Sequence, residues 1–394
     1  KEAKLIFSIL NDFENNNNRV KFVGGCVRKS MQGENIDDID LATSLEPDIV
    51  KKKLINNKIR VIDTGVSHGT LTVVLNKKTF EITTLREDIS TDGRHAEVKF
   101  TTDWTKDSFR RDLTINSIYA DIDGKIFDPQ NGISDLRNGV IKFIGNPEQR
   151  IQEDYLRILR YFRFFLIHSK KDHEEIIIRT IKKNINGLNK ISNERLFQEV
   201  KKILSFKNIY ALFSNQKSQE IIMNIFPQFI FYERLKNFNK LSNKLKTKYD
   251  YVIILSLLTV DQTDNYDYFC YKFKTPNHVK EKLKYISLNF QNMGNKNFYK
   301  VDNIKKLIYF NGKEKTKNIL LFSRIAFNKI KDFDLENLLK YVENYNIPKF
   351  PITGEDLKNY GYKPGKALGN KLKSLEEKWV ENNFVIDKKL IEKS

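Results

Sequence analysis

Residues Phe22–Thr43 read FVGGCVRKSMQGENIDDIDLAT, and this stretch decides the fold. A Gly24-Gly25 pair closes the apolar stub Phe22-Val23 and is followed by Arg28. Asp38-Ile39-Asp40 then lies in a short run that reads as a β-strand. Strand residues two apart point to the same face, so Asp38 and Asp40 are expected to project together. Two carboxylates on one face repel unless a cation lies between them, and a hard, all-oxygen site suits Mg²⁺ carrying phosphates. Glycines let backbone N–H groups approach a polyphosphate, and the helix N-terminus that follows adds positive potential. The segment reads as a place where metal ions and a nucleoside triphosphate meet.

Outward from this stretch, strand and helix signals alternate over the first 120 residues. A helix is expected over Ala3–Phe13, and another over Pro47–Asn57, where proline opens it. Val20–Val23, Arg60–Asp63, Thr70–Leu75 and Thr79–Thr84 read as strands, with Asn76-Lys77-Lys78 as a hairpin turn. Beyond about residue 145 the pattern turns helical: Leu156, Leu159, Phe162 and Phe165 recur at helical spacing, as do Leu196, Val200 and Leu204. Pro227, Pro276 and the Pro348–Pro351 stretch punctuate the later helices, and no internal repeat stands out. At 394 residues the chain exceeds one ordinary core. The expectation is a mixed α/β head followed by an all-α remainder.

The net charge of +19 is unevenly spread. Residues 1–120 hold 19 Lys/Arg against 18 Asp/Glu, leaving 50 basic and 32 acidic residues in the remainder. A near-neutral head on a basic body suits a polyanion lying along the C-terminal two-thirds. Codon bias toward Lys and Asn is the alternative, supported by the Asn15–Asn18 tract. Cys26 and Cys270 form neither a metal-ligand spacing nor a disulfide framework, which suits a reducing compartment. The longest apolar stretch, Tyr251–Val260, is about half what a membrane span needs. A cytoplasmic protein without a membrane anchor is expected.

Three further clusters carry chemistry. In FEITTLRED, Glu81 reads either as a third carboxylate beside the aspartates or as a solvated strand residue. In RRDLTIN, Arg111 offers a planar fork to phosphate oxygens, and Asp112 and Asn116, one helical turn apart, suit sugar hydroxyls. An amphipathic helix start would place similar charges there. In EDYLRILRYFR, Asp154, Arg157 and Arg160 fall at i, i+3 and i+6, one polar stripe on a helix. A carboxylate beside a guanidinium fits cytosine and adenine, which both present an exocyclic amine next to a ring-nitrogen acceptor. Uracil and guanine present the reverse pattern, which would leave polar groups unpaired. An intrahelical salt bridge is the competing reading.

Taken in order, GGCVR…DDIDLAT, DTGVSHGTLTVV, FEITTLRED, RRDLTIN, DPQNGISDLRNGVIKFIGNPEQR and EDYLRILRYFRF resemble the class II tRNA nucleotidyltransferases. These are the CCA-adding enzymes of the DNA polymerase β superfamily. The resemblance continues through ISNERLFQEVKKIL to ITGEDLKNYGYKPGKALGNKL, similar to the tail of bacterial members. It implies an α+β fold: a polymerase-β-like head over residues 1–140, then an elongated helical neck (141–205), body (206–275) and tRNA-binding tail (276–394). It implies Asp38 and Asp40 as the catalytic, metal-binding pair; Mg²⁺ as cofactor and Glu81 as a third catalytic carboxylate are the expectations already drawn from the residues. Gly25, Arg28, Arg111, Asp154, Arg157, Arg160 and Arg163 are the nucleotide-binding residues it implies, Asp154 and Arg157 reading the base, and Gly24, Asp112 and Asn116 join them from the reading of the residues above. Residues Arg86 to Lys99 take the place of the flexible loop needed for the final A. The implied partners are CTP, ATP and the acceptor and TΨC arms of tRNA, with monomer and homodimer both open. A poly(A) polymerase, a CC-only or A-only enzyme, and an inactive RNA-binding homologue are the alternatives. Lys29 departs from the usual V-R-D, adding a cation near the phosphates, and the C-terminal half lacks the His-Asp cluster of a phosphohydrolase domain.

Overall fold

The computed structural model describes residues 1–11, 18–91 and 96–385. The chain divides into two compact units, Lys1–Ile203 with Ser214–Ile221, and Leu204–Phe213 with Ile222–Ser394. The first unit opens with α1 (Glu2–Leu10), β1 (Val20–Val23), α2 (Gly25–Met31), β2 (Ile39–Thr43) and α3 (Pro47–Asn56). Next come β3 (Arg60–Gly65), β4 (Thr70–Leu75), β5 (Lys78–Thr84), β6 (Arg86–Thr91), β7 (Ala96–Phe100) and α4 (Trp104–Phe109). The short strands β8 (Tyr119–Ala120) and β9 (Ile126–Phe127) complete a seven-stranded sheet of order β3-β4-β5-β2-β1-β8-β9.

The two-residue period of the strands sorts this sheet into two faces. Leu41, Leu71, Val73, Phe80 and Ile82 point to one face and form a core with Ile6, Phe7 and Leu10 of α1 and Val50 and Leu54 of α3. Asp40 and Glu81 alternate with those residues and therefore occupy the other face. β2 and β5 run parallel with Asp40 directly opposite Glu81, while the other neighbours in the sheet are antiparallel. The β4–β5 turn is shorter than expected. Leu75 pairs with Lys78, so the turn is Asn76-Lys77 alone, both with positive φ, as the right-handed twist of a tight hairpin requires.

The segment Arg86–Lys99 differs from an irregular loop. Its described residues pair as an antiparallel ribbon of β6 with β7, Arg86 opposite Phe100 and Glu87 opposite Lys99. Residues 92–95 lie outside the described residues.

The helices α5 (Gly132–Asn138), α6 (Pro147–Glu153), α7 (Arg157–His168), α8 (Glu175–Asn184) and α9 (Asn193–Leu204) complete the first unit with a short return through 214–221. α7 buries Ile158, Leu159, Tyr161, Phe162, Phe164 and His168. Beside it, the Tyr161 hydroxyl meets His173 Nδ1 at 2.9 Å, and His173 Nε2 meets Ser218 Oγ at 2.6 Å. Burial pushes His173 down to about 4. Burial, then Arg28 and Arg163, push His168 down to about 3. An unfolded imidazole takes its proton near pH 6.5. Between that pH and the folded values the unfolded chain binds more protons, so stability is intact above pH 6.5 and falls as pH drops. At pH 5 the two histidines together remove about 4 kcal/mol. Thermal melting should therefore show a steep loss of Tm from pH 7.5 to 5. With both His168 and His173 replaced by Gln, the chain should melt lower at pH 7.5 but lose little more at pH 5; an equally steep fall would exonerate the histidines.

The second unit is helical among its described residues. The apolar stretch noted in the sequence becomes a nine-residue helix, Tyr251–Thr259, buried from Val252 to Thr259. Helices Asn277–Met293 and Val301–Phe327 pack on it, the latter kinked at Gly312 (φ 76°). Among the described residues no helix is long and apolar enough to cross a membrane. Ile352, Leu357 and Leu375 form a separate small core near the C-terminus.

Candidate active site

β1 ends at Val23 and the chain turns through Gly24, at φ 69°, ψ −117°, into α2. That φ favours glycine, and a side chain there would also press to 3.4 Å from the Asn116 carbonyl oxygen. A Cβ on Gly25 would meet nothing within 4 Å, so the backbone at the start of α2 is open to a ligand.

Arg28, one turn into α2, is buried. It donates through Nη1 to the Asn116 side-chain oxygen and, at 3.4 Å, to the Ile115 carbonyl, while its Nε has no partner. Asn116 Nδ2 donates to Asp112 Oδ1 at 2.9 Å, and Arg160 closes on Asp112 Oδ2 through Nε (2.7 Å) and Nη2 (2.6 Å). Arg163 pairs with buried Glu199. Asp112 and Asn116 thus link two arginines from different elements into one relay, with their polar atoms engaged by protein. Burial, with Arg163 and Arg160 nearby, pulls Arg28 down to about 10. Burial opposes ionisation of Asp112, but Arg160, Asn116 and Arg157 outweigh it and hold the carboxyl well below the usual range.

On the sheet face away from α1 and α3, Asp40 is half-buried and its carboxyl is raised, first by burial and then by Glu81 and Asp38, with Arg111 opposing. Asp38 differs slightly from expectation. It is exposed and precedes β2, because pairing with β5 begins only at Ile39 opposite Phe80. No Lys or Arg among the described residues comes within 4 Å of the Asp38, Asp40 or Glu81 carboxylates. Nor do three acidic, His or Cys side chains among them converge as a ready-made cation cage. Repelling carboxylates with no cation in ion-pair contact among the described residues do suit a divalent cation whose remaining ligands come from substrate phosphates.

Arg111 is set by a residue that sequence reading missed. Asp107, fully buried, accepts from Arg111 Nη2 (3.1 Å), Arg110 Nε (2.8 Å), the Tyr119 hydroxyl (2.7 Å) and the backbone N–H of Arg86 (3.2 Å). Burial would raise its carboxyl, but Arg111, Arg110 and Tyr119 hold it down at about 2. The signal was present as D-x-x-R-R, since residues three and four apart meet on a helix.

The stripe expected through Asp154, Arg157 and Arg160 is broken. Asp154 has extended backbone (φ −153°, ψ 103°) in the gap between α6 and α7, so it is not on the arginines' helix. Its Oδ1 accepts the Leu156 N–H at 3.1 Å, and that local bond competes with helix continuation. Oδ2 pairs with Arg195 at 2.7 Å. Arg157 pairs with Glu153 (2.6 Å) and donates to the carbonyls of Arg150 (3.0 Å) and Arg110 (3.1 Å). Lys29 does not add free charge for an anion either. It forms a 3.0 Å ion pair with exposed Asp37, next to Asp38.

Residues 20–142 match the family described as Poly A polymerase head domain, and residues 244–394 that described as tRNA nucleotidyltransferase domain 2. The chain is 35% identical over 393 residues to the mitochondrial CCA tRNA nucleotidyltransferase 1 of Mus musculus, covering 95% of this chain and 86% of that protein. It is 34% identical over 388 residues to the CCA-adding enzyme of Ligilactobacillus salivarius, covering 94% and 90%. In fold it resembles the crystal structure of the Bacillus stearothermophilus CCA-adding enzyme in complex with CTP, with TM-score 0.76, 23% identity and coverage of 97% and 92%. A mixed sheet with paired carboxylates on its open face, a glycine turn with an arginine relay behind it, and similarity along almost the whole chain converge. The chain belongs to the class II tRNA nucleotidyltransferases, the family of the CCA-adding enzymes.

Proposed function

We propose that this chain builds CCA on tRNA 3′ ends from CTP and ATP, by attack of the terminal hydroxyl on the α-phosphate with release of pyrophosphate. The observation that carries this reading is the Asp40–Glu81 register beside the Gly24 turn, in a chain similar end to end to enzymes named for CCA addition. Asp38 and Asp40 would hold Mg²⁺, with Glu81 beside Asp40; when bound, the ion lowers the pKa of the attacking hydroxyl and offsets phosphate charge. Gly24 makes the turn, and Gly25 presents open backbone to the triphosphate. Arg28, held by Asn116, and Arg111, held by Asp107, supply fixed positive charge to the leaving pyrophosphate without reorganising during reaction. Asp112 and Asn116 serve this site by orienting Arg28 and Arg160. Arg160 and Arg163 extend the same positive surface, and Asp154 and Arg157 read the base. Residues 1–140, 141–205, 206–275 and 276–394 are the proposed head, neck, body and tail, the last gripping tRNA. Buried free thiols at Cys26 and Cys270 support a reducing compartment such as the cytoplasm, although the mammalian relatives are named mitochondrial.

A product ladder tests this reading. tRNAs ending at the discriminator base, at C and at CC are given each labelled nucleotide singly and then together. Termination after CCA is the expected result. A long A tail would instead identify a poly(A) polymerase, a stop at CC or a start only on CC would identify a partial adder, and no product would identify an inactive homologue.

A further inference from the structure

Three guanidinium groups of the nucleotide site gather around one phenyl ring. Phe164 is 4% exposed, and its ring centroid lies 4.3 Å from Arg163, 5.0 Å from Arg28 and 5.8 Å from Arg160. Arg160, Phe164 and His168 repeat at i, i+4 and i+8 of α7, so they share a helix face, and the His168 ring lies parallel to the phenyl at 6.1 Å. Gln32, which caps the C-terminus of α2, reaches His168 Nδ1 at 3.4 Å. The counter-ions are unevenly shared. Asp112 pairs with Arg160 and Glu199 with Arg163, whereas Arg28 has a neutral amide, a carbonyl and an unpartnered Nε. Like charges this close repel, and Arg28 is held against them only by the neutral Asn116 oxygen and Ile115 carbonyl among the described residues, so a further neutral contact would steady it.

An aromatic face is suited to that task. It attracts guanidinium through its quadrupole, an effect that strengthens when the cation is desolvated. Unlike a carboxylate, it neither cancels the charge nor occupies the in-plane N–H groups that a triphosphate would take. We propose that Phe164 is a positioning residue of the nucleotide site, whose ring packs against Arg28, Arg160 and Arg163 by cation–π contact and leaves uncancelled the charge of Arg28, which has no carboxylate partner among the described residues. This rests on the reading of those arginines as nucleotide-binding residues.

Ring electronics can be changed without changing shape. In the full-length chain, phenylalanines with one, two and three ring fluorines replace Phe164, and CTP and ATP affinities are measured by calorimetry in the presence of Mg²⁺. Affinity for both nucleotides should fall stepwise, to about tenfold weaker with three fluorines, with the CTP-to-ATP ratio and Tm unchanged. Phe164→Leu should show at least the same loss, and Phe164→Tyr should stay within about threefold. Flat affinity across the fluorinated series overturns the proposal. Arg28→Ala and Arg163→Ala in the otherwise natural chain separate the two readings. If they lose nucleotide affinity while the fluorinated series stays flat, only the role of Phe164 falls; if they lose none, the arginine assignment itself falls.

Discussion

Asp40→Asn should abolish nucleotidyl transfer, lowering CMP incorporation into a CC-less tRNA by on the order of 10³-fold or more, about 4 kcal/mol of transition-state stabilisation. The amide keeps the shape of the carboxylate but cannot bind a hard cation. It also relieves repulsion: the Asp40 carboxyl is raised first by burial and then by Glu81 and Asp38. Thermal stability without metal should therefore be unchanged or higher, which separates lost chemistry from lost fold. Calorimetric Mg²⁺ binding in the presence of CTP should weaken in parallel. Asp38→Ala together with Asp40→Ala should behave at least as severely. Near-normal incorporation by that double variant would sink the assignment of the catalytic centre.

The second large effect concerns base choice. Asp154→Ala or Arg157→Ala should erode the preference for CTP over UTP by about a hundredfold, measured as the ratio of the two kcat/KM values. Discrimination of this size comes from leaving polar groups unpaired against the wrong base, and truncating either partner removes that penalty. In the structure the two side chains engage protein partners, Asp154 meeting Arg195 and Arg157 meeting Glu153. Those ion pairs orient the proposed template residues, so Arg195 and Glu153 belong in the same experiment. An unaltered CTP-to-UTP ratio in both single variants would eliminate the pair as the template.

Much of the site was legible because it is local. Gly24-Gly25, Arg28 and Asp40 are placed by a tight turn, one helical turn and one strand, and short spacing determines all three. The alternation of Phe80, Glu81 and Ile82 likewise announces a strand with one buried and one open face, whatever it pairs with. The misreading at Asp154 came from the same reliance on periodicity. Helical spacing continues from Glu153 to Arg163, but a carboxylate that accepts the N–H two residues ahead stops one helix and starts the next. Lys29 shows the complementary error, since a charge counted toward an anion site is engaged by Asp37.

By itself, then, the sequence determined the two-part α/β-then-helical layout and the family, and it nominated the residues proposed to face metal, phosphate and base. Those follow from composition, period and motif order, which need no knowledge of neighbours. Only the tertiary structure decided that Glu81 stands opposite Asp40, that Asp107 holds Arg111, and that one phenyl ring gathers Arg28, Arg160 and Arg163. Each depends on strand register or helix packing between segments distant in the chain, where the hydrophobic faces select a partner and the polar groups are carried into contact with them.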